Sequence, residues 1–372
     1  DSGTVMGFAQ TLAIGIILSM FTAIFVTRWI LYAFVGLGFD DVKFYGIQKA
    51  RKPINFVGNI KKYAIISGCL LLLCIGGLVM NMVKMGQPLN YSLEFLGGSS
   101  TSITFTDYKG EGFDASGNAS ADFKNEVTDV VKSAANVSEA ELSDVSGEKT
   151  LIVRTPAFTE DQQKKVISTV VEKYGVSDKS IEVETISASV SNEMRMDAIV
   201  AVLIAAVGML IYIWIRFKNL AFGASSVIAL LHDVMVVLMV YAIGSASITV
   251  GSTFIACMLT IVGYSINATI VVFDRVRENR KKLGNTDLAE IVNTSITETL
   301  SRSFNTSITT LVMVLCLAVL GVDSIRQFAV PMMAGIISGC YSSVCLAGTI
   351  WYFMNRSAQK KAKAKKASNK KK

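Results

Sequence analysis

Polar side chains interrupt two apolar runs between Leu259 and Thr310. The first, LTIVGYSINATIVVFDRVREN, carries Tyr264, Ser265, Asn267 and Thr269. The second opens on TETLSRSFNTSITT, where Asn305, Thr306, Thr309 and Thr310 follow Arg302 at i+3, i+4, i+7 and i+8. That spacing places all five on one helical face. Polar groups inside hydrophobic spans are costly and face a bundle interior or a water path. Two such spans in succession predict a polar seam between helices, whose chemistry is the transfer of protons or ions. A plain arginine reaching up to the membrane surface is the alternative reading of Arg302. On the first run, Tyr264, Asn267 and Val271 share a face, with Ala268 beside it. Ala268 lies about 9 Å of helix rise before Asp274, close enough in depth for Arg302 to reach.

His232 and Asp233 stand midway along a third apolar run, ALLHDVMVV, and His232 is the only histidine. A His-Asp pair inside a membrane can exchange protons near neutral pH. It can equally be a structural pair that hydrogen-bonds neighbouring helices, and the sequence leaves both open. One histidine without a second ligand at suitable spacing makes no metal site. No G-x-x-x-x-G-K-[ST] loop occurs, and no Ser/His/Asp arrangement is suggested. The expectation is therefore not an enzyme: no catalytic residues, no cofactor, no metal, and an ion gradient rather than a bound nucleotide as the energy source, the coupling ion being left open by the residues themselves.

These positions need a membrane frame, and the composition supplies one. Only 17% of the 372 residues are charged while 51% are hydrophobic, with mean hydropathy +0.48; soluble domains carry about 25% charged residues. The apolar residues gather in seven runs near the roughly 20 residues a spanning helix needs. They are 6–27, 63–83, 196–215, 220–243, 252–273, 303–321 and 328–354. Every second connection is basic, ending with the lysine-rich tail. Basic loops stay on the cytoplasmic side, so the N-terminus is expected outside and the C-terminus inside. The net charge of +7 divides accordingly: positions 84–194 hold 18 acidic and 10 basic side chains, a balance of −8, against +15 elsewhere. This split explains the basic character without a nucleic-acid partner and points to the lipid bilayer. The six cysteines all lie in apolar runs and suggest no disulfide framework.

The chain divides on this reading into a first span (1–35), a basic cytoplasmic linker (36–62), a second span (63–83), an outside domain (84–194), a five-span bundle (195–355) and a basic tail (356–372). Within the bundle, 285–300 reads as an amphipathic connector at the membrane interface. The outside domain alternates at Ser99–Thr106 and Ile181–Ile186, as strands do. It has helical spacing at Ala121–Ala135 and 160–174, the latter capped by Thr159. A hairpin is expected around Ser146-Gly147. The order β-α-β-β-α-β is the ferredoxin-like pattern. Glu94, Phe95, Leu96, Gly97 and Gly98 link this domain to the membrane, with glycines for a sharp turn. An internal repeat relates FAQTLAIGIILSMFTA (8–23) to FAVPMMAGIISGCYSS (328–343) at an offset of 320. The first span is thus the counterpart of the last, and the chain, which begins at Asp1, reads as a fragment of a longer protein.

The motifs GYSIN-x-TIVVFDRVREN (263–279), ALLHDV (229–234), TLSRSFNTS (299–307) and FLGG (95–98) resemble SecF, and GFAQTLAIGIILSMFTAIFVTR (7–28) resembles the last span of SecD. The chain is thereby identified as a member of the bacterial SecDF family of the RND superfamily. The resemblance implies a multi-pass plasma-membrane protein with an RND-type bundle, accessory to the Sec translocon. It implies use of the proton-motive force to move outside domains on preproteins, with SecYEG, SecA and YajC as partners. It assigns Arg302 to the functional arginine of TLSR-x-x-NTS. The usual SecF motif is GYSIND-T, with an aspartate where Ala268 stands here, so the protonatable member is absent. Glu94 likewise stands where aspartate is usual. The acidic residue of the SecD half would lie upstream of Asp1. Two alternatives remain: a translocon-binding scaffold that does not couple protons, and an RND-type small-molecule exporter, although those usually carry larger outside domains.

Overall fold

The computed structural model describes residues 2–45, 52–106, 108, 110, 112–114, 117–145, 149–217, 220–283, 286–321 and 323–356. The turn at Ser146-Gly147 and the tail beyond 356 lie outside the described residues. Helix α1 comprises Ser2–Phe21, a π-helical turn at Thr22–Val26, and Thr27–Gly36. Helix α2 is Ile60–Met85. Then come β1 (Gly98–Thr104), α3 (Ala121–Ala135), β2 (Glu141–Val145), β3 (Thr150–Thr155), α4 (Glu160–Tyr174) and β4 (Ile181–Ile186). Four long helices follow: α5 (Ala188–Phe217), α6 (Leu220–Ile243), α7 (Ser252–Lys282) and α8 (Leu288–Leu320). The last, α9, is Asp323–Tyr341, with a second π-helical turn at Ser342–Ala347 and helix onward to Arg356.

Among the described residues seven helices, α1, α2 and α5 to α9, are long and apolar enough to cross a membrane. A helix satisfies all its backbone polar groups internally, which a bilayer demands. In the bundle α6, α7 and α9 pack on one another, α2 lies against α6, and α8 lies against α7 and α9. Phe222 anchors one end of this core, stacked on Trp351 at 4.6 Å and edge-on to Phe273 at 4.7 Å. Small residues let the helices approach: a Cβ on Gly335 would meet the Ile261 side chain, and one on Gly339 would touch Ser265 at 3.4 Å. The α1 span buries none of its residues.

The stretch 285–300 is expected to be an amphipathic connector at the membrane interface. It is helical from Leu288 and continuous with the following span. Its apolar face, Ile291, Val292 and Ile296, is buried in the protein core. An amphipathic stripe has the same period whether lipid or protein covers it. Its polar side chains strap down the segment before α2. Asn293 Oδ1 accepts the backbone N–H groups of Phe56 and Val57 at 2.9 and 3.0 Å, and Thr297 Oγ1 accepts that of Ile54 at 2.9 Å.

Tyr91–Val200 forms a second compact unit. Its sheet has the order β2-β3-β1-β4 with every neighbouring pair antiparallel. Thr101, Ile103 and Phe105, alternate residues of one strand face, are all fully buried, as the period of two requires. Phe105 is ringed by Phe123, Phe113, Tyr174 and Tyr108 at 5.2 to 5.6 Å between ring centres. Burial pushes the Tyr174 phenol up, reinforced by Glu126 beside it, so it stays a donor to that carboxylate. Thr159 caps α4 reciprocally: its hydroxyl accepts the Gln162 N–H while Gln162 Oε1 accepts the Thr159 N–H. At the start of the unit, Leu93–Leu96 makes one helical turn. Gly97 and Gly98 then take φ of +73° and +117°, values that side chains with a Cβ adopt only under strain. Phe95 is buried there, and its carbonyl accepts from Ser191 Oγ at 3.2 Å. Truncation of Phe105 to alanine should destabilise this unit by about 3–5 kcal/mol, against about 1 kcal/mol for Thr159→Ala. Amide hydrogen exchange of β1 and β3 in the intact chain measures both.

Candidate functional site

The bundle buries one carboxylate at its centre. Asp233, on α6, has no solvent exposure, and an isolated ion there would cost several kcal/mol. Its surroundings are accordingly rich in donors. Oδ2 accepts from Ser265 Oγ of α7 at 2.5 Å and from Ser342 Oγ of α9 at 2.6 Å. Oδ1 accepts from Ser338 Oγ of α9 at 2.6 Å and lies 3.2 Å from Nδ1 of His232. His232 is itself buried, with its ring 5.8 Å from that of Tyr341. The Tyr341 hydroxyl donates to the Tyr63 carbonyl at 2.8 Å and meets Ser67 Oγ at 3.1 Å, both in α2. One carboxylate thus ties α6, α7 and α9 together, and His232 and Tyr341 extend the cluster to α2.

Sequence reasoning picked out His232, Asp233 and Ser265 but missed Ser338 and Ser342. Their signal was present: Gly335, Ser338, Gly339 and Ser342 make a small-residue stripe on α9, inside the internal repeat. Small residues in apolar runs commonly serve only helix packing, so the hydroxyls carried no separate mark.

The residues of the predicted seam between α7 and α8 divide between buried and exposed positions. The seam's direct contact is Tyr264 hydroxyl to Ser307 Oγ at 3.0 Å. Ser265 and Thr269 are buried, Ala268 is half-buried and Asn267 is exposed. Arg302, Asn305, Thr306 and Thr309 lie on the exposed face of α8, and Thr310 is half-buried. The threonine hydroxyls turn back to carbonyls of their own helix: Thr306 to Arg302, Thr309 to Asn305 and Thr310 to Thr306. The 3.6-residue period fixes which residues share a face, not which helix covers it. Beyond this stripe, Arg275 and Asn279 of α7 both donate to Glu298 of α8 at 2.6 Å, and Arg216 of α5 pairs with Asp274 at 2.7 Å. Among the described residues no cluster of three His, Cys, Asp or Glu side chains could hold a metal ion.

The two polar features should respond oppositely to mutation. Asp233→Ala strips the acceptor from three buried hydroxyls and should cost about 3–5 kcal/mol, lowering the thermal unfolding midpoint in detergent. Arg302→Ala, at an exposed position, should leave that midpoint unchanged.

Comparison with known proteins fits this architecture. The family model described as protein export membrane protein SecD/SecF, C-terminal, matches residues 166–357. Protein translocase subunit SecF of Desulfurispirillum indicum is 32% identical over 282 residues, covering 72% of this chain and 83% of that protein. Protein translocase subunit SecDF of Bacillus subtilis is 30% identical, covering 94% of this chain and 47% of its own length. The crystal structure of SecDF from Thermus thermophilus, titled a translocon-associated membrane protein, superposes with a TM-score of 0.78 at 29% identity, over 94% of this chain and 45% of that one. The chain therefore spans about half the length of the SecDF relatives it matches. With half its residues under that family model and most of a SecF relative's length matched, the chain belongs to the SecD/SecF family of protein export membrane proteins.

Proposed function

We propose that this chain is the SecF part, preceded by the last SecD span, of an accessory unit of the Sec translocon. That unit promotes protein export across the bacterial plasma membrane. The observation that carries the reading is the match of residues 166–357 to the SecD/SecF model, together with a SecF relative matched over 83% of its length. The N-terminus and the Tyr91–Val200 unit lie outside and the C-terminus lies in the cytoplasm, an orientation supported by the basic alternate connections. The strand order β2-β3-β1-β4 with its two helices supports a ferredoxin-like class for that unit. The seven spans support an RND-type bundle. SecYEG, SecA, YajC and emerging preproteins are the partners, and the proton-motive force drives the outer unit against the preprotein.

The stripe on α8 supports a companion half. An exposed Arg302 with Asn305, Thr306 and Thr309 is a poor face to present to lipid. Covered by the SecD half, it becomes the lining of a proton path. Arg302 stays charged at all relevant pH, so the moving part must be a carboxylate opposite it. Protonation switches that carboxylate between attraction and indifference to the guanidinium. Family resemblance puts one such carboxylate at position 268, where this chain has alanine. The alanine favours a second reading, a scaffold that binds the translocon without coupling protons.

One substitution separates the two. In vesicles containing the complete protein with SecYEG and SecA, Ala268→Asp should raise proton-gradient-dependent translocation clearly above that of the alanine form, because it restores a protonatable group opposite Arg302. Co-purification with SecYEG should not change. Equal translocation before and after the substitution would leave the scaffold reading standing.

A further inference from the structure

We propose that the open edge of strand β4, with the shoulder of α4 beside it, binds an extended peptide segment that carries basic side chains at alternate positions. The peptide adds a strand to the sheet of the Tyr91–Val200 unit.

β4 (Ile181–Ile186) ends the order β2-β3-β1-β4, so only one of its sides pairs within the sheet. An unpaired edge is a template for another strand, and proteins blunt it with lysine, proline or a bulge. β4 reads IEVETI, with neither lysine nor proline. Its register on β1 runs unbroken from Ile186 opposite Gly98 to Ile181 opposite Ile103. The Thr155 hydroxyl donates to the Ser99 carbonyl at 3.4 Å, so that carbonyl points to β3 and away from β4. Ser99 lies opposite Thr185. Backbone groups alternate in direction along an antiparallel strand. Ile181, Val183 and Thr185 therefore turn their N–H and C=O groups to the open side. The Val183 carbonyl meets the Gln163 side chain at 3.5 Å, beyond the usual range of a hydrogen bond. The N–H groups of Val183 and Thr185 have no acceptor among the described residues.

α4 supplies the other wall. Gln162 of that helix reaches the Ala135 carbonyl of α3, and Gln163 reaches the Val183 carbonyl of β4. These two contacts fix which side of the helix faces the open edge. Ile167 and Val171 follow Gln163 at i+4 and i+8, on the β4 side. Both are half-buried against the core, as is Val183. A helix lying beside an open edge strand thus makes a groove with apolar side chains at its base and unpaired backbone along one wall.

Charge selects the occupant. Successive side chains of a strand point to opposite faces, so Glu182 and Glu184 stand on the face away from α4, and both are exposed. Guest side chains beside them on that face are lysine or arginine, at every second position. The guest residues between face Ile167, Val171 and Val183 and are apolar. Positions 84–194 hold 18 acidic side chains against 10 basic, a field that draws the same basic partner. On the proposed function the source of such a segment is a preprotein still unfolded as it emerges, and that identification alone rests on that reading.

The test uses the intact chain in nanodiscs of neutral phosphatidylcholine, with a labelled peptide of about ten residues, the length of a long strand, alternating lysine and valine. Amide exchange resolved by residue should slow at Val183 and Thr185 when the peptide is added. Glu182 and Glu184, whose amides pair with β1, should not change. Fluorescence anisotropy should show the affinity lowered about tenfold in Glu182→Lys/Glu184→Lys, where two attractive cross-strand pairs become repulsive. Two further peptides are N-methylated, one on its lysines and one on its valines. One should bind about tenfold more weakly and the other as before, because only every second amide of a strand faces its neighbour. No binding, or binding without protection of Val183 and Thr185, would overturn the proposal. So would equal binding of the two N-methylated peptides, the comparison that decides the matter if the double variant does not fold. Protection that needs no peptide and grows with chain concentration would assign the edge to a second copy and overturn it as well. Export is not read, so the result stands apart from the outcome at position 268.

Discussion

A carboxylate with no access to solvent, placed midway along a membrane helix, sets the terms for the rest of this bundle. Asp233 is tolerable only because three hydroxyls and a histidine converge on it. For them to converge, α7 and α9 must approach α6 within hydrogen-bonding distance. Gly335 accordingly has no room for a side chain, since a Cβ there would collide with Ile261, and Gly339 lies in close contact with Ser265. Packing between helices in lipid gains little from the hydrophobic effect. Polar ties and close backbone approach therefore do what an oily core does in a soluble protein. Phe222, Phe273 and Trp351 then close one end of the same bundle by aromatic contact.

The polar groups of the membrane part fall into two kinds. Those around Asp233 are enclosed and bonded to one another, which makes them a structural lock. Those along α8, from Arg302 to Thr309, face outward, with their hydroxyls folded back on their own helix. A helix face of that composition is made for another protein surface. The α1 span makes the same point, being wholly unburied although it is the repeat partner of the well-buried α9. Both features agree with a chain that spans about half the length of its SecDF relatives.

Hydropathy made the seven spans legible, because run length alone decides whether a helix can cross a bilayer. The β-α-β-β-α-β order was equally plain from alternation, helical spacing and the Thr159 cap. What could not be read was the identity of facing surfaces. The stripe headed by Arg302 shares one face as read, and that face, like Asn267 of α7, is left exposed in this chain. The 285–300 segment was amphipathic as read, but protein covers its apolar side and Asn293 holds the chain before α2. Ser338 and Ser342 were hidden in plain view, since a serine in an apolar run looks like any small packing residue. In each case periodicity names a face, while the partner is settled by long-range packing.

On the proposed function, the α8 face is an unfinished interface completed by a companion membrane half. Arginine-directed dicarbonyl modification of Arg302, read by mass spectrometry, measures this without any substitution. The chain alone in detergent should be modified at Arg302, and a complete protein that adds the companion half should be protected there. Equal modification of Arg302 in both would contradict the claim.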